Sequence, residues 1–363
     1  MSARIYDSYD KLLAQVGRTG KPITELGRTI DGAPIISVKT GGEKGPPIFI
    51  TAGSHSTEQA GVSAAVDTIE SLDTDHAVYV IPTRDPVGMN GFTYALRLAL
   101  GDVDEVTSFD QAEGILRDEG EILFEEDGVG VMSLIGEYGY VCNRPSKAVC
   151  CPQSSFYQRL QRLYREEPHI LEPLRGRRIF QTPGQAGVEG TGNFGRAYTL
   201  IIGLDGDILH INRFHDTTWA PVEPRVTRLF MEEIRPGISF DLHESQLMED
   251  RFWLSARHQM TPEDEEWEQR AAQATIRAIA DSGATLAQDD DMPSGWFTKS
   301  EQALFWLDAT QRGEGLNLMD FASREFGLAF GTEMGMYGTF ERRVELALIT
   351  VRTAVSVFEE RYR

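Results

Sequence analysis

The sequence predicts a three-layer α/β/α sandwich with a mixed central sheet. Strand-like and helix-like stretches alternate along most of the chain, the pattern of helices packed on both faces of a sheet. Residues 46–52 (PPIFITA) form an almost unbroken apolar run, which suits a strand covered on both sides. YTLIIGL and DILHI flank Asp205–Gly206, a hairpin turn signal, so the sheet structure is not purely parallel.

Taken in order, APIISVK (33–39) and PPIFITA (46–52) read as strands. A helix is expected over 57–72. Ser56 and Gln59 match a capping box at its start, and AGVSAAV supplies a small apolar body. AVYVIP (77–82) is a strand, followed by the turn-rich RDPVGMNG. Residues 98–196 are the least regular, with one good amphipathic helix at 155–167. After the hairpin come a helix (222–235), strand ISFDL (238–242), a long helix (262–282), strand LAFGT (328–332) and a final helix (340–361). The expectation is a single catalytic domain over 1–363 with an insertion around 98–206.

Composition narrows the function classes. At 363 residues, with 41% hydrophobic and 25% charged residues, the chain has the ordinary globular mix. No apolar run reaches the roughly 18 residues that span a bilayer. The N-terminal MSARIYDSYDKLLAQ carries charges where a signal peptide would be apolar. A net charge of −21 repels nucleic acid and anionic lipid, so neither nucleic acid nor membrane is an expected partner. Cys142, Cys150 and Cys151 make no disulfide framework and fit a reducing compartment, so a cytoplasmic location is expected. An acidic block (102–127) and a basic block (142–178) lie near each other in sequence, which suggests a self-complementary insertion with solvated faces.

Chemistry collects where strands end, because ligands of open α/β sheets sit beyond the carboxyl ends of the strands. Strand 46–52 runs into His55 and Glu58, strand 238–242 into His243 and Glu244, strand 328–332 into Glu333, and hairpin strand 207–211 into Asn212-Arg213. His55 and Glu58, three apart across a helix start, face one side of the first turn and suit one cation. A third ligand from a distant strand would complete a His₂Glu site. His210 and His215 flank Asn212-Arg213; lone histidines of this kind are more often hydrogen-bonded framework than ligands.

Five ordered segments then resemble the zinc carboxypeptidases. ELGRTIDGAPIISVKTGGEKGPPIFITAGSHSTEQAG (25–61) resembles their N-terminal part, in which a strand carries G-x-H-x-x-E. IPTRDPVGMNG (81–91) looks like the P-x-x-N-P-D-G turn, with Asp85 for the usual Asn. INRF followed by TTWAPVEPRVTRL (211–229) looks like D-x-N-R-N-F with its W and S-E-P-E. FDLH (240–243) and FGTE (330–333) are similar to the strands bearing the third ligand and the general base.

The resemblance implies a zinc ion (Zn2+) held by His55, Glu58 and His243. It implies Glu333 as the base that takes a proton from the attacking water and passes it to the leaving amine. Asn212 and Arg213 would hold the substrate's terminal carboxylate, a task suited to a guanidinium fork. An oxyanion-stabilising arginine is expected between the turn and the NR pair, with Arg97 first and Arg196 second. The sequence departs from the family at several points. The Asp usual before NR is His210, and no Tyr lies between Tyr198 and Tyr337 to close over the substrate. Trp296, Phe297 and Trp306 are the aromatics left to cover the site. The insertion is expected to narrow or cap the cleft.

Three functions fit. The first is a zinc hydrolase cutting an amide next to a free carboxylate, carboxypeptidase-like, on a short or modified peptide. The second is a deacylase of N-acyl amino acids, near the aspartoacylase and succinylglutamate desuccinylase type. Those enzymes usually add a C-terminal β-rich domain, whereas one helix follows Glu333 here. The third is a catalytically silent metal-containing binding module.

Overall fold

The computed structural model describes residues 3–144, 159–160, 162–182, 194–204, 206, 208–245, 250–292, 295–307 and 316–363. In chain order these give α1 (Tyr9–Arg18), β1 (Ile23–Arg28), β2 (Pro34–Gly41), β3 (Lys44–Ala52), α2 (Gln59–Ser71) and β4 (His76–Ile81). Next are α3 (Phe92–Leu100), α4 (Phe109–Glu119), β5 (Glu121–Glu126), β6 (Gly130–Ile135), β7 (Tyr138–Asn143), β8 (Arg178–Gln181), β9 (Tyr198–Ile202) and β10 (Ile208–His210). The chain closes with α5 (Val222–Ile234), β11 (Ile238–Ser245), β12 (Phe252–Ala256), α6 (Pro262–Asp281), β13 (Phe297–Glu301), β14 (Leu304–Leu307), α7 (Leu318–Glu325), β15 (Leu328–Gly335) and α8 (Phe340–Glu360).

Nine strands form one mixed sheet in the order β1-β2-β4-β3-β11-β15-β12-β14-β13. Its middle, β4-β3-β11-β15, is parallel. The apolar run of β3 is explained by its two covered faces. Ile48, Ile50 and Ala52 enter a core shared with α2, α6 and α8, whereas Phe49 enters one shared with Phe230 of α5 and Leu318 of α7. Helices therefore cover both faces, as the sequence predicts. The long helices start on local signals. Thr261 caps α6 at Asp264 N, ahead of Pro262 and three acidic residues, and Thr339 caps α8 at Arg342 N.

The start of α2 departs from expectation. Glu58 occupies its cap position without a side-chain cap bond, so the Ser56–Gln59 capping box does not form. The Ser56 hydroxyl donates instead to Ala197 O, and the Gln59 amide donates to Ser56 O. The first-turn amide of Ala60 is satisfied by Glu244 of β11 at 2.7 Å, and Glu244 pairs with the buried Arg343 of α8. An orphan helix donor thus ties α2 to β11. Gly61 lets the two approach, because a Cβ there would collide with Leu242 O.

The second sheet, in the order β10-β9-β8-β7-β6-β5, is built by the stretch expected as an insertion. It has its own apolar clusters and does not stop at 206: β10 pairs antiparallel with β9 and ends at His210. The two charge blocks meet on it, with Arg144 bonded to Asp110 and Glu113, and Arg159 to Glu126. The helix expected at 155–167 is seen at residues 159–160 and 162–166; its other positions, with Cys150 and Cys151, lie outside the described residues. Cys142 is buried. No helix among the described residues is long and apolar enough to cross a membrane.

Candidate metal centre

Strand β3 delivers the first two residues. Beyond Ala52, Gly53 adopts a positive φ of 60°, where a Cβ would also collide with Thr83 Oγ1, and the chain turns into His55. The amide of Glu58 donates to His55 O at 3.0 Å, closing a tight turn that brings both side chains to one side. Strand β11, hydrogen-bonded beside β3, delivers His243. One donor atom from each of His55, Glu58 and His243 lies within 4.8 Å of the others. The Glu58 carboxylate sits between the imidazoles, with Oε1 2.6 Å from His55 Nδ1 and Oε2 2.8 Å from His243 Nδ1. Burial alone would raise the Glu58 carboxyl, but the two imidazoles outweigh it and hold it at about 2.

These residues fit a zinc ion. The donors are of the types zinc takes, and both Nδ1 atoms face the Glu58 carboxylate while their Nε2 atoms are engaged elsewhere, as suits ligand histidines. His243 Nε2 lies 2.8 Å from Asp241 Oδ2. Two residues back on the same strand, Asp241 shares His243's face. His55 Nε2 lies 2.7 Å from His210 Nδ1. Arg84, fully buried, donates to Asp241 Oδ2 at 2.6 Å and to Asn212 Oδ1 at 2.8 Å. The Asn212 amide nitrogen is 2.9 Å from His243 Nε2, and its oxygen also accepts from Leu318 N. Asn212 is thus built into the scaffold around His243. Burial would lower the His243 imidazole, but Asp241 and Glu58 outweigh it and raise it well above its usual range.

Glu333 lies one strand over. In the parallel pair β11–β15 it is in register with His243, so both side chains leave the same face. Burial, aided by the nearby carboxylates of Glu58, Asp241 and Glu244 and opposed by His243, raises its carboxyl to about 8. Glu244 leaves the opposite face and is occupied by Arg343 and the α2 amide.

Not every expected residue arrives at the centre. Arg213 does: it is buried, its Nη1 donates to Asn212 O at 2.9 Å, and its charge acts on both His55 and His210. Arg97 does not. It lies on α3, bonds Val103 O and pairs with Glu105 at 3.7 Å, in a surface groove lined by Tyr9, Asp31 and Tyr94 and by none of the three ligands. Arg196 is buried, but its guanidinium donates to the carbonyls of Tyr6, Asp7, Met89 and Gly195 and to Gln59 Oε1, a framework role. Trp306 is in the core, its indole donating to Glu268, and Phe297 packs on Phe305; their strands β14 and β13 lie at the far edge of the sheet. The aromatic at the centre is Tyr198 of β9, stacked on His55 at 5.3 Å between centroids. His215 is buried against Phe321 and lies outside the His55–Glu58–His243 group.

Asp241, Arg84, His210 and Tyr198 were not assigned to the site from sequence. The D-x-H spacing on one strand face is a signal for Asp241; nothing local points to Arg84 or Tyr198.

Compared with known proteins, the sequence matches no family model and no curated protein. Solved structures similar in fold include these two. One, assigned as a metallopeptidase from Shewanella denitrificans, is 12% identical, with 96% of this chain and 90% of that chain covered at a TM-score of 0.53. The other is a metallo-carboxypeptidase from Burkholderia cenocepacia, also 12% identical, with 98% of this chain and 70% of that chain covered at a TM-score of 0.51. The chain has the metallo-carboxypeptidase-like fold.

Proposed function

We propose that the chain is a zinc-dependent hydrolase of an amide bond adjacent to a free carboxylate, carboxypeptidase-like in chemistry. The observation that supports this most is the convergence of His55, Glu58 and His243 with Glu333 in register on the next strand. When bound, the zinc ion supplies Lewis-acid polarisation of the scissile carbonyl and acidifies a water. Glu333 takes the proton of the attacking water at its carboxylate and delivers it to the leaving amine. The surroundings that raise its carboxyl make it a stronger base than a solvent-exposed carboxylate, and the charge of a bound zinc ion beside His243 and Glu58 would favour the ionised form that accepts the proton. Arg213 pairs with the substrate carboxylate and fixes the distance from that charge to the cleaved bond. Asn212 supports that arginine through its carbonyl.

The second sheet favours a short substrate, a small peptide or an N-acyl amino acid, because β9 and β10 bring Tyr198 and His210 against His55. The test is a matched pair of short substrates, one with a free carboxylate and one amidated there, offered to the zinc-loaded protein. The free acid should be cleaved at least about tenfold more efficiently, as expected for losing one side of a charge-assisted pair in a partly desolvated cleft. Equal cleavage would remove the carboxylate-directed reading. Zinc binding with no turnover on peptides or N-acyl amino acids would leave the binding module.

A further inference from the structure

We infer that His210 is the positioning residue of the ligand His55, so that the second sheet sets the metal affinity of the first. The inference rests on the zinc site proposed above. A histidine that gives Nδ1 to a metal keeps its proton on Nε2, and a buried N–H without an acceptor is destabilising. In this chain the acceptor is His210 Nδ1, 2.7 Å from His55 Nε2. Accepting there places the His210 proton on Nε2 and leaves its ring neutral. The geometry is held by the sheet: His210 ends β10 in register with Leu200 of β9, and β9 also carries Tyr198, which stacks on the face of the His55 ring. One strand thus fixes the edge of the ligand and its neighbour fixes the face.

The two ligand histidines have unlike partners. His243 is backed by the Asp241 carboxylate at 2.8 Å, His55 by an uncharged imidazole. A carboxylate behind a ligand adds negative charge and raises its basicity; an imidazole supplies only the acceptor. The centre therefore carries one negative charge fewer than two carboxylate-backed ligands would give it. That weakens its hold on the ion and strengthens the ion's pull on electrons.

The experiment is zinc affinity by chelator competition on the full chain, for wild type, His210→Ala, His210→Asn and His210→Asp, each checked for native circular dichroism. His210→Ala should bind zinc about 10–100-fold more weakly, the usual cost of losing a ligand's partner. His210→Asn, a neutral acceptor, should recover most of that loss, and His210→Asp should bind more tightly than wild type. In the zinc-loaded wild type, ¹⁵N shifts should report His55 protonated at Nε2. His210→Ala within twofold of wild type overturns the inference. So does an Asn and an Asp variant as weak as Ala, since volume and not hydrogen bonding would then matter. A wild type that binds no zinc sinks the metal reading itself, a different outcome from either.

Discussion

Replacing Glu333 by glutamine keeps the shape of the side chain and removes its proton chemistry, and the effect differs between the metal-free and metal-loaded protein. In the metal-free protein, burial, reinforced by Glu58, Asp241 and Glu244 over the opposing His243, raises this carboxyl from 4.5 to about 8. A folded value above the unfolded one means a stabilising contribution that is complete below about pH 4.5 and lost as pH rises through about 8. At about 1.4 kcal/mol per pH unit, the span is on the order of 4–5 kcal/mol. Unfolding entropy of about 2.1 cal/mol/K per residue turns that into about 5–7 °C in Tm. The assay is thermal unfolding of chelator-stripped wild type and Glu333→Gln at pH 5 and pH 9. Wild type should lose stability relative to the variant across that interval by this amount. In the loaded enzyme the added positive charge beside His243 and Glu58 favours the ionised carboxylate, so the acid limb of activity should lie below pH 8. Glu333→Gln should retain zinc while turnover falls about 10²–10⁴-fold. A Tm difference that does not change with pH, or near-normal turnover in the variant, would refute the reasoning.

Arg84→Leu should destabilise the protein by about 3–5 kcal/mol, read from a denaturant midpoint, because it leaves the buried Asp241 carboxylate without its arginine; a loss under about 1 kcal/mol would contradict that role. Arg213→Ala should cut efficiency on a free-acid substrate at least about tenfold, and Arg213→Lys should recover only part of it, since an ammonium is a point charge and not a fork. A lysine variant equal to wild type would show that bidentate geometry is not used.

The parts legible in the sequence are those where local pattern and tertiary environment agree. Strand β3 and helices α2, α5, α6 and α8 were placed within about two residues at most of their ends, because a doubly covered strand reads as an apolar run and long helices carry caps and periodicity. The spacing across a helix start makes His55 and Glu58 legible as a pair, whereas His243 joins them in the sequence only through the resemblance to zinc carboxypeptidases; the parallel pairing of β3 and β11 brings the three together. Helices α1, α3, α4 and α7 and strands β1, β5–β8 and β12–β14 are not legible in the sequence. Many are short or at sheet edges, where burial is one-sided; Ile23–Arg28 has no buried residue at all. The Ser56 capping box does not form because the Ser56 hydroxyl is spent on the non-local Ala197 O and Glu58 holds the cap position. Arg97 and Arg196 were chosen by order along the chain. Order does not reveal that one guanidinium faces a surface groove and the other is consumed by backbone carbonyls. His210 was visible only as a departure from the family pattern; the sheet pairing that places it against His55 is long-range.

Zinc content tests most directly whether His55, Glu58 and His243 form one metal site. The purified chain, loaded with zinc and desalted, should carry close to one zinc ion per molecule, and His243→Ala should lose most of it while keeping its circular dichroism, because the turn that bears His55 and Glu58 supplies two donors and not three. A natively folded His243→Ala protein with full zinc occupancy would contradict the site.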